Sequence, residues 1–188
     1  MSDLVKKSRE LMFNQFKKNG APAWELTEIA VAKGKQLANR YRADEELVLA
    51  SLYLAHTIFS GTIRDRIQKN HEKLSAKFVK KYLDNWKVPD EKKQVILNAI
   101  EAHHDKVLCR SKVAEVMKNA EGFKFLTLKG ALVYLHDLGG RGLPYDLAVS
   151  EVIRKMQQKL SYLSLPEQKK EGKRNFASIM KVLSKSDI

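Results

Sequence analysis

Apolar residues are most concentrated between Glu45 and Phe59, where the sequence reads EELVLASLYLAHTIF. No face of a helix built on this stretch is polar, so the pattern predicts a helix that is buried on all sides. The stretch is too short to cross a bilayer, which takes about 20 residues. We therefore expect it to be the central helix of a helical domain, with Asp44 as its N-cap.

Amphipathic helices are predicted on both sides of this stretch, because apolar residues recur every three or four positions. The first extends from Leu4 to Lys18 and ends at Asn19-Gly20. Strand-like alternation is absent from the sequence, so the predicted fold class is all-α. The remaining predicted helices run from Pro22 to about Arg42, from His71, from Pro89 to His103, from Phe125 to Leu138, and from Pro144 to Pro166.

The length of 188 residues predicts one domain. Residues 155–188 contain eight basic and three acidic residues, with a short apolar pattern from Phe176 to Leu183. We interpret residues 1–165 as a helical domain and residues 166–188 as a basic extension with a short docked helix.

Charge is the unusual feature of the composition, because 35 Lys and Arg residues against 22 Asp and Glu residues give a formal net charge of +13. Such an excess favours phosphorylated small molecules or nucleic acid as partners. A lysine-rich, solvated surface is the alternative explanation.

The single cysteine, Cys109, excludes a disulfide framework within one chain. The first twenty residues form a charged amphipathic pattern and lack the apolar core of a signal peptide. We expect a soluble, cytoplasmic protein without membrane contact. The oligomeric state stays open.

All five histidines lie between positions 56 and 136, each near a predicted helix end. Imidazoles combined with a carboxylate are the usual ligands of divalent transition metals. Ordinary buried or capping histidines are the alternative. Two adjacent residues point about 100° apart on a helix, so we expect at most one of His103 and His104 to face inward.

The run from Trp24 to Asp137 resembles the HD-domain superfamily of metal-dependent phosphohydrolases. The resemblance implies an all-α, single-domain, HD-like helical bundle. The segments that carry it are WELTEIAVAKGKQLA, ADEELVLASLYLAHT, NHEKLSAKFVKKYL, ILNAIEAHHDK and ALVYLHDLG, in the order of the family's helices.

Two departures from the family pattern affect the implied site. Leu26 occupies the position of the family's first histidine, and a leucine cannot bind metal. The His-Asp doublet is either Ala55-His56 or His56-Thr57, and its aspartate is missing in both registers. Asp65 and Asp105 are nearby carboxylates that are able to substitute for it.

The resemblance implies one divalent metal ion, which lowers the pKa of a water molecule so that hydroxide attacks phosphorus. The leading hypothesis is a divergent phosphohydrolase for a nucleotide or nucleic-acid phosphate. The alternatives are a catalytically inactive HD fold that binds nucleic acid through its basic surface, and a protein-interaction scaffold. The implied metal ligands are His56, His71, His103, His104 and Asp137, and the implied phosphate-binding residues are Arg64, Arg66 and Lys69.

Overall fold

A computed structural model describes residues 1–20, 22–59, 70–104 and 107–183 of the chain. The described residues form α-helices and one short 3₁₀ turn, without strands, which confirms the all-α, HD-like bundle. The helices are α1 (Asp3–Asn19), α2 (Trp24–Tyr41), α3 (Glu45–Leu54), α4 (His71–Asn85), α5 (Asp90–Ala102), α6 (Lys112–Phe123), α7 (Leu128–Gly140), α8 (Tyr145–Tyr162) and α9 (Pro166–Leu183), with the 3₁₀ turn at Lys124–Leu126.

Helix α3 is the central helix that the apolar stretch predicts. A carboxylate oxygen of Asp44 accepts a hydrogen bond from the Leu47 amide at 3.1 Å and caps its N-terminus. Every α3 residue from Leu47 to Leu54 is buried, and the helix packs against α1, α2, α5 and α6. The helix ends at Leu54 rather than Phe59. There the Thr57 hydroxyl donates a hydrogen bond to the Leu54 carbonyl at 3.1 Å, so this C-terminal carbonyl has a side-chain partner.

The predicted polar connection after Phe59 lies outside the described residues. Arg64, Asp65, Arg66 and Lys69 belong to that connection, and Asp105 lies in a second stretch outside the described residues, between His104 and Val107. Their assignment to phosphate or metal stays a prediction.

The buried apolar side chains form two clusters. The first is built from α1 to α6 around α3. The second is built from Phe123, Leu126 and the inner faces of α7, α8 and α9. Charged and imidazole side chains gather where the two clusters meet.

The C-terminal helix is longer than the short apolar pattern predicts, since α9 contains 18 residues and begins at Pro166. It buries Ile179 and Leu183 in the second cluster. The division into a domain and an extension at residue 165 stays a prediction. Within the described residues, none of the helices combines the length and apolarity needed to span a membrane.

Candidate functional site

Three histidines from separate helix ends meet in the interior. His56 lies just after α3, His71 is the first residue of α4, and His103 directly follows α5. All three side chains are buried, and one ring nitrogen from each lies within 4.8 Å of the others. We call these three residues the histidine wall.

The hydrogen bonds of His103 fix which of its nitrogens has a lone pair. Its Nδ1 lies 2.5 Å from the carbonyl oxygen of Ile100. A carbonyl only accepts, so Nδ1 carries the hydrogen and Nε2 has the lone pair. That Nε2 lies 3.1 Å from Nε2 of His71. The two facing nitrogens therefore share either one proton of His71 or a cation.

His56 has a buried nitrogen without a hydrogen-bond partner. Its Nε2 lies 3.0 Å from Oε1 of Glu121 and 3.5 Å from the Lys124 ammonium, and the shorter contact makes this nitrogen a donor, because an ionised carboxylate only accepts. The lone pair is then on Nδ1, which is buried and has no hydrogen-bond partner in the described part of the chain. A buried, unsatisfied acceptor is costly, and a carboxylate on the opposite nitrogen is the usual support of a metal-binding imidazole. The histidine wall therefore fits a divalent cation.

Burial favours the neutral form of His56 and of His103. It lowers the pKa of His56, although the Glu121 carboxylate opposes this shift. Burial also holds the pKa of His103 well below its usual range, and the neighbouring His71 and His56 act in the same direction. Neutral imidazole is the form that binds metal.

A buried ion pair supports the histidine wall from the other side. The ammonium of Lys124 lies 2.7 Å from Oε1 and 2.9 Å from Oε2 of Glu121. Burial alone raises the pKa of Glu121, but Lys124 and then His56 outweigh it and hold this pKa well below its usual range. Glu121 is thus ionised and holds the His56 ring in one orientation.

Three lysines converge on the ring of Phe125. The ammonium nitrogens of Lys124, Lys155 and Lys159 lie 5.1, 5.9 and 5.8 Å from its centroid. Burial lowers the pKa of Lys155, and it lowers the pKa of Lys159 to about 7. We call these three residues the lysine wall.

The lysine wall, together with His56 and His71 of the histidine wall, lines a cavity of about 100 Å³. This is roughly three times the ~30 Å³ share of one water molecule, so it is suited to a small ligand group. Among the described residues, the lining includes four basic side chains and two carboxylates, and this excess favours an anion. The charged lining residues are Glu121, Lys124, Asp137, Arg141, Lys155 and Lys159.

His104 and Asp137, the other two predicted metal ligands, line the same cavity, but each contacts a basic side chain. Nε2 of His104 lies 3.5 Å from Nζ of Lys159, so this imidazole faces the lysine wall. The Asp137 carboxylate pairs with the Arg141 guanidinium at 2.5 Å. Burial raises the pKa of Asp137, and Arg141 opposes the shift.

Of the adjacent pair His103 and His104, only His103 is fully buried, and His104 is partly exposed. Helix α5 ends at Ala102, directly before the pair. His103 joins the histidine wall, and His104 lines the cavity.

The sequence interpretation missed Glu121, Lys124 and Lys159. Each occupies a position that the helical spacing assigns to the apolar face. Lys124 comes four residues after Ala120, Glu121 comes four after Met117, and Lys159 comes three after Met156. Charges on a buried stripe are a sequence signal for a buried polar centre.

Comparisons with known proteins agree with a metal-binding helical bundle. The HD domain family profile matches residues 26–126, which is more than half of the 188-residue chain. A crystal structure of a protein from Lactobacillus plantarum has the same fold, with a TM-score of 0.72 at 12% sequence identity. The superposition covers 98% of this chain and 95% of the Lactobacillus plantarum chain. A search of curated proteins finds no match.

The fold and the gathered imidazoles define a helical protein of the metal-dependent phosphohydrolase superfamily. The chain belongs to the HD domain family. Both sequence departures are visible in the structure. Leu26 is buried and lines the cavity with an apolar side chain, and Thr57 turns its hydroxyl to the Leu54 carbonyl. Because His56 joins the histidine wall, the structure favours reading the doublet as His56-Thr57.

Proposed function

We propose that this protein is a metal-dependent phosphohydrolase that holds one divalent ion on His56, His71 and His103 and cleaves a phosphate monoester. The observation that carries the proposal is the buried Nδ1 of His56, which has no hydrogen-bond partner among the described residues, on a residue of the three-histidine group. Three protein ligands with an open position are the usual arrangement of a catalytic zinc site.

The histidine wall positions the ion. The Ile100 carbonyl accepts a hydrogen bond from Nδ1–H of His103 and orients that ring. The Glu121 carboxylate accepts one from Nε2–H of His56 and orients the second ring. Lys124 neutralises Glu121, so the carboxylate stays in place as a support for His56 rather than as a ligand. A divalent ion held there would act as a Lewis acid toward the phosphate and would activate water.

The lysine wall binds the phosphate. Lys155 and Lys159 place two amino groups at fixed positions in a partly buried cavity, where water screens charge less than at the surface. Fixed donors that face developing negative charge need no reorganisation during the reaction. The buried positions of these lysines therefore favour stabilisation of the charge that builds up on the phosphoryl oxygens.

The test is hydrolysis with defined metals. The protein is treated with a chelator, reloaded with manganese, cobalt, nickel or zinc, and assayed for release of inorganic phosphate from p-nitrophenyl phosphate. We expect at least one metal to restore activity, and His71→Ala to reduce it by about 100-fold, as loss of a metal ligand does. Exposed Lys129→Ala is the matched control and should retain activity. Absence of phosphate release with every metal would reject the proposal.

Nucleic-acid binding is the second candidate, and it has its own supporting observation on α9. Lys169, Lys170, Lys173 and Arg174 are exposed there and recur one turn apart. Affinity for single-stranded RNA that falls steeply with salt, and falls further in Lys170→Glu/Arg174→Glu, would support this function. Affinity that is independent of these two residues would count against it.

A further inference from the structure

A second concave region lies directly outside the cavity. It is a groove of about 650 Å³ between the α1–α2 joint and α7. Pockets that take small organic ligands usually measure ~300–1,000 Å³, so the groove has a suitable size. Its walls are Asn19, Gly20, Ala23, Glu25, Leu132, Val133, His136, Asp137, Gly140 and Arg141.

The groove and the cavity share one wall. Asp137 and Arg141 line both spaces, so their ion pair stands between them. A ligand with its phosphate in the cavity would extend past this pair into the groove.

The two spaces differ in charge. The cavity carries four basic side chains and two carboxylates, whereas the described groove wall carries Glu25, Asp137 and only one cation, Arg141. Additional phosphates would meet the carboxylates in the groove, which disfavours polyphosphates and nucleic-acid chains. Carboxylates accept hydrogen bonds from hydroxyl groups, and Leu132 and Val133 add apolar surface.

We propose that the groove binds the neutral, hydroxylated ring portion of the substrate, a nucleoside or sugar, while its single phosphate occupies the cavity. This inference rests on the proposed function and narrows its substrate to small phosphate monoesters. The Asp137–Arg141 pair is the boundary between the two parts of the ligand.

Two neighbouring glycines provide the test. Gly140 lines the groove and Gly139 does not, and a Cβ added at either position would meet no atom within 4 Å. Gly140→Trp fills the groove, and Gly139→Trp is the matched control. Affinity for adenosine is measured by calorimetry, and kcat/KM is measured for adenosine 5′-monophosphate and for glycerol phosphate.

We expect Gly140→Trp to weaken adenosine binding and to lower kcat/KM for adenosine 5′-monophosphate by about 10-fold each, an ordinary effect of obstructing a pocket. Glycerol phosphate, with its small organic part, should lose less than about threefold. Gly139→Trp should match wild type in all three measurements. Equal effects of both variants, or wild type that fails to bind adenosine, would overturn the inference.

A second pair of variants tests the groove in case the glycine variants misfold. Leu132 lines the groove and Leu128 lies one turn before it on α7, and their exposed fractions are 47% and 48%. Leu132→Glu should weaken adenosine binding and Leu128→Glu should not. If wild type hydrolyses no monoester with any metal, the proposed function fails, whereas the adenosine measurement still decides whether the groove binds a nucleoside.

Discussion

The histidine wall and the lysine wall adjoin the same cavity but are built differently. The histidines come from three helix ends, where separate elements converge on one point. Lys159 comes from the last turn of α8, and Lys124 comes from the 3₁₀ turn, each on a stripe that is otherwise apolar. The histidine wall presents ring nitrogens, and the lysine wall presents amino groups.

From this difference we expect two separable binding capacities at the site. The histidine wall is suited to a cation, and it lies within the residues that the family profile matches. In the lysine wall, Lys155 and Lys159 lie beyond residue 126, on α8, whereas Lys124 lies inside the match. Variants in one wall should therefore change one capacity and leave the other.

The largest expected effect comes from Glu121, which joins the two walls through His56 and Lys124. Glu121→Gln leaves the Lys124 ammonium buried without its counter-charge. Breaking a buried pair in this way should lower the free energy of unfolding by about 3–5 kcal/mol, measured by urea denaturation.

The double variant Glu121→Gln/Lys124→Met is the control, because it removes both charges. It should recover at least half of the lost stability, since the remaining groups are uncharged. A single variant as stable as wild type would show that the pair does not hold the walls together.

Gly130→Ala tests the backbone of the lysine wall. A Cβ at Gly130 would lie 1.8 Å from the Lys124 carbonyl oxygen, so the backbone of the lysine must shift. We expect a loss of about 1–3 kcal/mol in the free energy of unfolding, typical of overpacking. Gly139→Ala on the same helix meets no neighbour within 4 Å and should be neutral or stabilising.

Lys155→Met tests whether the walls act separately. Removing this ammonium should weaken the affinity for inorganic phosphate by about 10-fold, the usual value of one charge-assisted hydrogen bond. Metal content should stay at the wild-type level. Calorimetry with phosphate and elemental analysis check the two expectations, and loss of metal in this variant would contradict the separation.

The half-buried surface pair of Glu46 and Lys92 provides the smallest effect and contrasts with the fully buried Glu121. Hydrogen bonds from Ser2 and Lys92 lower the pKa of Glu46. A lowered folded-state pKa contributes stability above the unfolded-state pKa, and this contribution is lost as the pH falls through the folded-state value.

Lys92→Met should therefore slightly lower the free energy of unfolding at pH 7. The difference from wild type should diminish as the pH falls through the lowered pKa of Glu46, where this carboxylate becomes protonated. Denaturation curves at pH 7 and in acid check this, and a difference that grows in acid would contradict the sign.

Much of the fold follows from local pattern. The uniformly apolar run predicts a buried α3, and Asp44 marks its start. The end of α3 could not be predicted, because it depends on a side-chain bond from Thr57 to the Leu54 carbonyl. The length of α9 was also missed, since it depends on packing against a cluster that forms only in the folded chain.

The site could be predicted only in part. Histidines near helix ends indicated three of the gathered residues. The sequence could not show that Asp137 pairs with Arg141 or that His104 contacts Lys159, because those contacts depend on how α7 and α8 pack. Glu121 and Lys124 were recognisable in principle as charges on an apolar stripe, but their mutual contact depends on the turn after α6.

Metal content tests the central claim most directly. Elemental analysis of wild type, His71→Ala and His136→Ala, each incubated with manganese, nickel or zinc and then desalted, compares the histidine wall with a histidine outside it. The account predicts about one ion per chain in wild type and in His136→Ala, and almost none in His71→Ala, since two remaining ligands hold a metal poorly. Wild type without metal, or His71→Ala with as much metal as wild type, would contradict it.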